Sequence, residues 1–194
     1  MGTMKKPTVS LFRRMKNEGR KIVMLTAYDA PTAKLAQECG IDIILVGDSL
    51  GMAVLGYQNT LPVTLEQSLH HCAAVRRGAP DAFVIGDMPF MTCHASETDA
   101  LKNAARYLQE AQCDAVKIEG DAALAPTVER MVHAGIPVMG HIGLLPQHIK
   151  TSGVYRVTGR KEEEAERIIA DAKAMEAAGV FAMVLECMPA ELGK

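Results

Sequence analysis

The sequence has no tryptophan and only 4% aromatic residues, so it offers few flat side chains on which bases could stack. Positive charge is not in surplus either: 21 Lys and Arg stand against 23 Asp and Glu, a formal net charge of −2. That balance lacks the basic footprint of a nucleic-acid binder and the polybasic patch of a membrane-surface protein. No apolar run reaches bilayer length, because the longest is broken at Asp48. The cysteines at 39, 72, 93, 113 and 187 are odd in number and show no CxxC spacing. This argues against a disulfide framework and for a reduced, cytoplasmic protein. HxH and HExxH are also missing, so zinc has no signature here. The N-terminal stretch MGTMKKPTVSLFRRMKNEGRK is charged throughout and lacks the apolar segment of a secretory signal. Lys6 stands where a myristoylation signal wants Ser or Thr.

What the sequence does have is a recurring phrase: a helix end, a small residue, a short apolar run, then a polar residue. It reads AQECGIDIILVGD, LQEAQCDAVKIEG, RMVHAGIPVMGHIG and AMEAAGVFAMVLEC. Gly40, Gly135 and Gly179 are placed to end helices in a left-handed conformation. With KIVMLTAYD and AFVIGDMPF, the apolar runs predict strands near residues 22–26, 43–47, 83–87, 115–119, 137–141 and 181–186. Between them lie amphipathic helices. One carries Ala100, Leu101, Ala104, Ala105 and Leu108 on its apolar face behind a cap at Ser96 and Asp99. Another turns Ala165, Ile168, Ile169, Ala172 and Met175 inward after an acidic first turn. A further helix is expected over 8–18.

Strand and helix alternate, so the sheet is expected to be parallel, in one domain over residues 1–194. A dinucleotide-binding sheet would show GxGxxG after its first strand, and TAYDAPTAK has none. Polar residues instead end nearly every strand: Asp48, Asp87, Lys117 and Glu119, His141, Glu186. Only a closed barrel gathers the C-terminal ends of all its strands at one mouth. The expected fold is therefore a (β/α)₈ TIM barrel, with six of the eight strands present and the chain stopping as a sixth helix begins. In that reading the first and sixth strands are unpaired edges.

Taken singly, each strand-end residue has a plain structural use. Asp and Ser cap helices or close turns, a lone His is usually hydrogen-bonded structure, and a Lys at a strand end reaches for water. Lys117 and Glu119 share a strand face and could simply pair. Together they suggest more. The carboxylates of Asp48, Asp87 and Glu119 at one mouth would repel unless a cation joined them, and oxygen-only ligands suit Mg²⁺. Such a metal could hold a 2-oxo acid and acidify the carbon beside its carbonyl, with Glu186 left over as base. The segment 49–64 reads equally as a lid or as ordinary loop, and Arg156, Arg160 and Lys161 as a solvated loop or an anion contact.

The phrases TAYDAPTAKLA, LVGDSLGMAVLGYQNTLPVT, HCAAVRRGAP, GDMPFM, VKIEG, GHIGLLPQ and VLECMPAEL resemble the ketopantoate hydroxymethyltransferase family over residues 8–194. The resemblance implies transfer of the one-carbon unit of 5,10-methylenetetrahydrofolate onto 2-oxoisovalerate, giving 2-dehydropantoate for pantothenate and coenzyme A. It further implies Mg²⁺ and a cytoplasmic homo-oligomer, a decamer of two pentameric rings, with small-molecule substrates and neither nucleic acid nor membrane as partner. Carried onto this chain, Asp48, Asp87 and Glu119 are metal ligands, and Asp48, Ser49, Asp87 and Lys117 line the oxo-acid site. Glu186, Lys117 and His141 are the catalytic residues. Two other readings stay open at this point. One is a Mg²⁺-dependent 2-oxo-acid lyase or aldolase that needs no folate. The other is a non-catalytic truncated chain that only binds substrate or assembles with full-length subunits.

Overall fold

A computed structural model describes residues 6–194; the first five residues of the N-terminal stretch lie outside the described residues. The apolar runs form β1 (Met24–Thr26), β2 (Ile43–Val46), β3 (Phe83–Asp87), β4 (Ala115–Glu119), β5 (Val138–Gly143) and β6 (Ala182–Glu186). Each lies where the sequence pattern predicts it. All five ladders are parallel and join the strands in chain order, β1 to β6. Among the described residues no ladder joins β6 back to β1. The eight-stranded closure is thus not present; six strands make an open, curled sheet. Both edges leave apolar side chains in water, Val23 and Leu25 at one and Leu185 at the other, as unpaired edges do.

Side chains alternate across a strand, and here the two faces pack against different partners. Ile44, Val46, Val84, Val116, Ile118 and Val138 meet the helices. These are α2 (Ala30–Glu38), α4 (Leu65–Gly78), α5 (Glu97–Gln109), α6 (Ala125–His133) and α8 (Glu162–Ala177), with α1 (Val9–Asn17) apart and α3 (Leu50–Ala53) and α7 (Ile149–Ser152) as short turns. The other face carries Ile43, Phe83, Ile85, Ala115 and Met139, and α1 closes on it with Phe12 and Met15. The Phe12 and Phe83 rings meet edge to face at 4.9 Å, and Phe83 meets Phe181 at 5.9 Å. Phe83 opens β3 and Phe181 precedes β6, three strand spacings away, or ~14 Å across a flat sheet. Ring contact over that span requires the sheet to curl around α1. The N-terminal half of the inner face is therefore filled, and the C-terminal half is left for polar residues.

Local signals explain the helix ends. Ser96 accepts the Asp99 backbone N–H at 3.1 Å, and Gly40, Gly135 and Gly179 all hold positive φ just after their helices. Two expectations about packing fail. Ile169 is 41% exposed rather than inward, because α8 lies at the open edge, where no further element among the described residues covers that side. On α5 the largest buried side chain is Tyr107, absent from the expected apolar face because its hydroxyl finds buried partners. Residues 49–64 are packed rather than loose, with Leu50, Thr60 and Val63 all buried. No helix among the described residues is long and apolar enough to cross a membrane.

The VRRGAP phrase acts at the floor of the sheet. Buried Arg76 donates through Nε to the Gln112 carbonyl at 2.9 Å and through Nη1 to the carbonyls of Ala79, Pro80 and Ala82. Its Nη2 pairs with the Asp114 carboxylate. That carboxylate also accepts the Val84 N–H at 2.8 Å, so Arg76 ties the turn before β3 to the start of β4. Removing one partner of a buried ion pair costs roughly 3–5 kcal/mol. Lys6 remains on Asp114 at 2.6 Å, so Arg76→Met is expected at the low end, about 3 kcal/mol, in urea denaturation. A loss below about 1 kcal/mol would show that the clamp is dispensable.

Candidate active site

The inner-face alternation that puts Phe83 and Ile85 on α1 puts Asp87 two residues further, at the C-terminal end of β3. In the same way Ala115 is followed by Lys117 and Glu119, Met139 by His141, and Val184 by Glu186. Register then makes neighbours of them: Asp87 is opposite Lys117, and Glu119 is opposite His141. Asp48 and Ser49 lie just beyond β2. Gly47 between them and the strand is tightly placed, since a Cβ there would lie 2.7 Å from Ser49 Oγ. The six strand-end residues and Ser49 stand at one end of the sheet, and Asp48, Asp87, Lys117, Glu119 and His141 are all buried.

Lys117 Nζ lies 2.5 Å from Asp87 Oδ2, and the Asp48 N–H donates to the same oxygen at 3.2 Å. His141 sits between two carboxylates, Nδ1 3.5 Å from Glu119 Oε1 and Nε2 3.1 Å from Glu186 Oε2. Ser49 Oγ shares a 2.8 Å hydrogen bond with the Tyr28 hydroxyl. Behind the site, the hydroxyls of Tyr107 and Ser68 both donate to the Asp87 carbonyl, at 2.9 and 3.1 Å. Gly86 makes room for this, because a Cβ there would lie 2.2 Å from the Tyr107 ring.

Charge explains the arrangement. Burial opposes the charge on Lys117, but Asp87, Glu119 and Asp48 outweigh it and hold the ammonium above its ordinary value. Burial likewise opposes a charged His141, and Glu119 and Glu186 reverse that effect, raising it. Burial would raise Glu119, yet His141 and Lys117 bring it below the usual range. Asp48 has less help. Burial first, then the charge of Asp87, pushes its carboxyl up to about 7.

Four carboxyl groups thus face one lysine and one histidine, and Asp87 Oδ1 and Glu119 Oε1 are buried without a hydrogen-bond partner. That donor set suits a hard divalent cation. Among the described residues no three His, Cys, Asp or Glu side chains form a metal-holding group by themselves. Mg²⁺ does not require one, since it is typically bound by one or two carboxylates and completes its shell with water and substrate oxygens. Asp48 and Asp87 adjoin directly, while Glu119 is joined to Asp48 through Gln147. The Gln147 N–H donates to Glu119 Oε2 at 3.0 Å, and Nε2 donates to Asp48 Oδ2 at 2.9 Å.

The family model for ketopantoate hydroxymethyltransferase matches residues 6–194. The chain belongs to that family. It is 54% identical over 186 residues to the 3-methyl-2-oxobutanoate hydroxymethyltransferase of Shouchella clausii, covering 96% of this chain and 67% of that one. To the enzyme of the same name from Desulfotalea psychrophila it is 55% identical over 191 residues, covering 98% and 68%. The chain therefore spans about two thirds of the length of these ketopantoate hydroxymethyltransferase relatives. Among solved structures, 2,3-dimethylmalate lyase, a member of the PEP mutase/isocitrate lyase superfamily, superposes with a TM-score of 0.67. That match is 20% identical and covers 94% of this chain and 64% of the other, and it bears on fold alone.

The sequence pattern finds the strand-end residues of this family member but misses Gln147, Tyr28, Ser68 and Tyr107. Gln147 sits in a turn beyond β5, where polar residues are ordinary, and nothing local marks it as buried. Arg156, read as a solvated loop residue or an anion contact, is exposed and pairs with Glu164 at 3.0 Å. A cavity of about 500 Å³ is lined by Asp121, His148, Arg156 and Asp171 among others and contains none of the strand-end polar side chains.

Asp48 gives this site a pH signature. Its folded value, about 7, exceeds the ordinary 3.8. It therefore favours the folded state below pH ~4, and that contribution is lost as pH rises through ~7. In EDTA at about pH 8, Asp48→Asn is expected to melt higher than wild type, by at most about 4 kcal/mol of stability. The advantage should shrink as pH falls toward 4. A variant no more stable than wild type at pH 8 would show that Asp48 is not a strained buried charge.

Proposed function

We propose that this chain carries the oxo-acid half of hydroxymethyl transfer in pantothenate synthesis. Its substrate is 2-oxoisovalerate, the one-carbon donor is 5,10-methylenetetrahydrofolate, and with water the products are 2-dehydropantoate and tetrahydrofolate. The carrying observation is Lys117, buried and cationic among Asp48, Asp87 and Glu119, with Glu186 across from them on the same face.

Each residue has work that follows from its place. Ser49, half-buried beside Tyr28, offers a hydroxyl to the substrate carboxylate. Asp48, Asp87 and Glu119 would hold Mg²⁺, which supplies Lewis-acid polarisation of the 2-oxo group when bound. Glu186 takes the proton from C3. Negative charge then grows on the former keto oxygen, and the buried Lys117 ammonium stabilises it. His141, close to both Glu119 and Glu186, fixes the direction of the base. The C3 carbanion equivalent attacks the one-carbon unit of the folate. Assembly as a homo-oligomer in the cytoplasm belongs to the same proposal.

The test separates enolisation from transfer. 2-Oxoisovalerate in D₂O, without folate, is expected to lose its C3 proton signal in NMR when Mg²⁺ and protein are both present. General acid–base groups contribute about 10²–10⁴ in rate, so Glu186→Gln should slow the exchange by that order. Exchange that is undiminished in the variant would remove Glu186 as the base. Exchange with EDTA as fast as with Mg²⁺ would remove the cation from the chemistry.

A further inference from the structure

Gln147 follows Pro146 in a one-turn 3₁₀ segment, Pro146–His148, beyond the end of β5. A glutamine in such a turn normally points to water, yet this one is 3% exposed. Burying an amide is unfavourable unless its hydrogen bonds are replaced. Here both side-chain donors are used: Nε2 donates to Asp48 Oδ2 at 2.9 Å and to the Met88 carbonyl at 3.1 Å. The main-chain N–H is used too, on Glu119 Oε2. One residue thereby ties the segment after β5 to the ends of β2, β3 and β4. The parallel ladders cannot do this, since each joins only two neighbouring strands and all have ended by this level. Oε1 is buried with no partner. A bridge serving only to hold the fold would not be expected to keep an orphan acceptor among carboxylates.

We infer that Gln147 is a positioning residue of this site: it aims the Asp48 carboxylate, holds it apart from Glu119, and so sets the affinity for a divalent cation. The inference rests on the functional reading above. Gln147 does not act on the substrate; it acts through Asp48.

The test uses two variants of the full chain. Gln147→Met keeps the length without donors, and Gln147→Asn keeps the amide but is too short to reach both partners. Mn²⁺ binding is read by electron paramagnetic resonance of the free ion, and C3 exchange of 2-oxoisovalerate is read as kcat and KM. Partners that orient metal ligands typically matter about 10–100-fold. Both variants are therefore expected to weaken Mn²⁺ binding at least about tenfold, and to lower kcat while KM for the oxo acid changes less than about threefold. Should Gln147→Met fail to fold, Gln147→Asn carries the test. Variants that bind Mn²⁺ as wild type does, or that lose kcat and KM together, overturn the assignment. A wild-type protein that neither binds Mn²⁺ nor catalyses exchange overturns the functional reading itself, and this assignment with it.

Discussion

The site depends on one constraint: Lys117 and Asp87 are both buried, burial opposes the charge of each, and each is the other's nearest opposite charge. Taking an ion from water into a protein interior costs several kcal/mol even after relaxation. The pair at 2.5 Å offsets this for two groups, but Asp48, Glu119 and Glu186 remain. Each carboxylate has found a partial answer nearby. Asp48 has the Gln147 amide, Glu119 has the Gln147 N–H and His141, and Glu186 keeps some contact with water while facing His141. The answers are incomplete, as the partnerless Asp87 Oδ1 and Glu119 Oε1 show. Buried carboxylate oxygens left without partners are a donor set that would suit a hard cation.

The rest of the molecule maintains the register on which this cluster relies. Asp87 faces Lys117 only because β3 and β4 pair as Ile85 with Ala115 and Asp87 with Lys117. A slip of one residue would turn every one of these side chains to the helical face. The floor of the sheet resists such a slip. Arg76 and Asp114 pin the starts of β3 and β4 to each other, and Phe12 of α1 packs on Phe83 from the inner side. Above, Tyr107 and Ser68 grip the Asp87 carbonyl. The chemistry at the top is thus held by polar contacts at the bottom and by aromatic packing between.

Much of this is legible along the chain because it is encoded locally. Four- and five-residue apolar runs too short for helices, each ending on a polar residue, mark the strands and name their mouth residues. Glycines after helix ends mark where each unit turns. Ile169 reads as inward because helical period alone cannot tell which elements lie beside a helix, and here no neighbour among the described residues covers that side. Tyr107 escapes notice because its burial depends on Ser68 from another helix and on the space left by Gly86. Nothing local sets Arg76 apart from the adjacent Arg77, and only the converging carbonyls of Ala79, Pro80, Ala82 and Gln112 make it a buried clamp.

By itself, then, the sequence determined the parallel α/β order, the polar identity of each strand end and the family to which the chain belongs. These are properties of spacing and residue type, which act within a few positions. The tertiary structure alone decided which of those ends share a hydrogen bond, and how much charge is left uncompensated among them. It also brought Gln147 onto Asp48, 99 positions away along the chain. No local pattern carries that contact, because it exists only after a curled sheet has brought the ends of β2 and β5 within reach of one side chain.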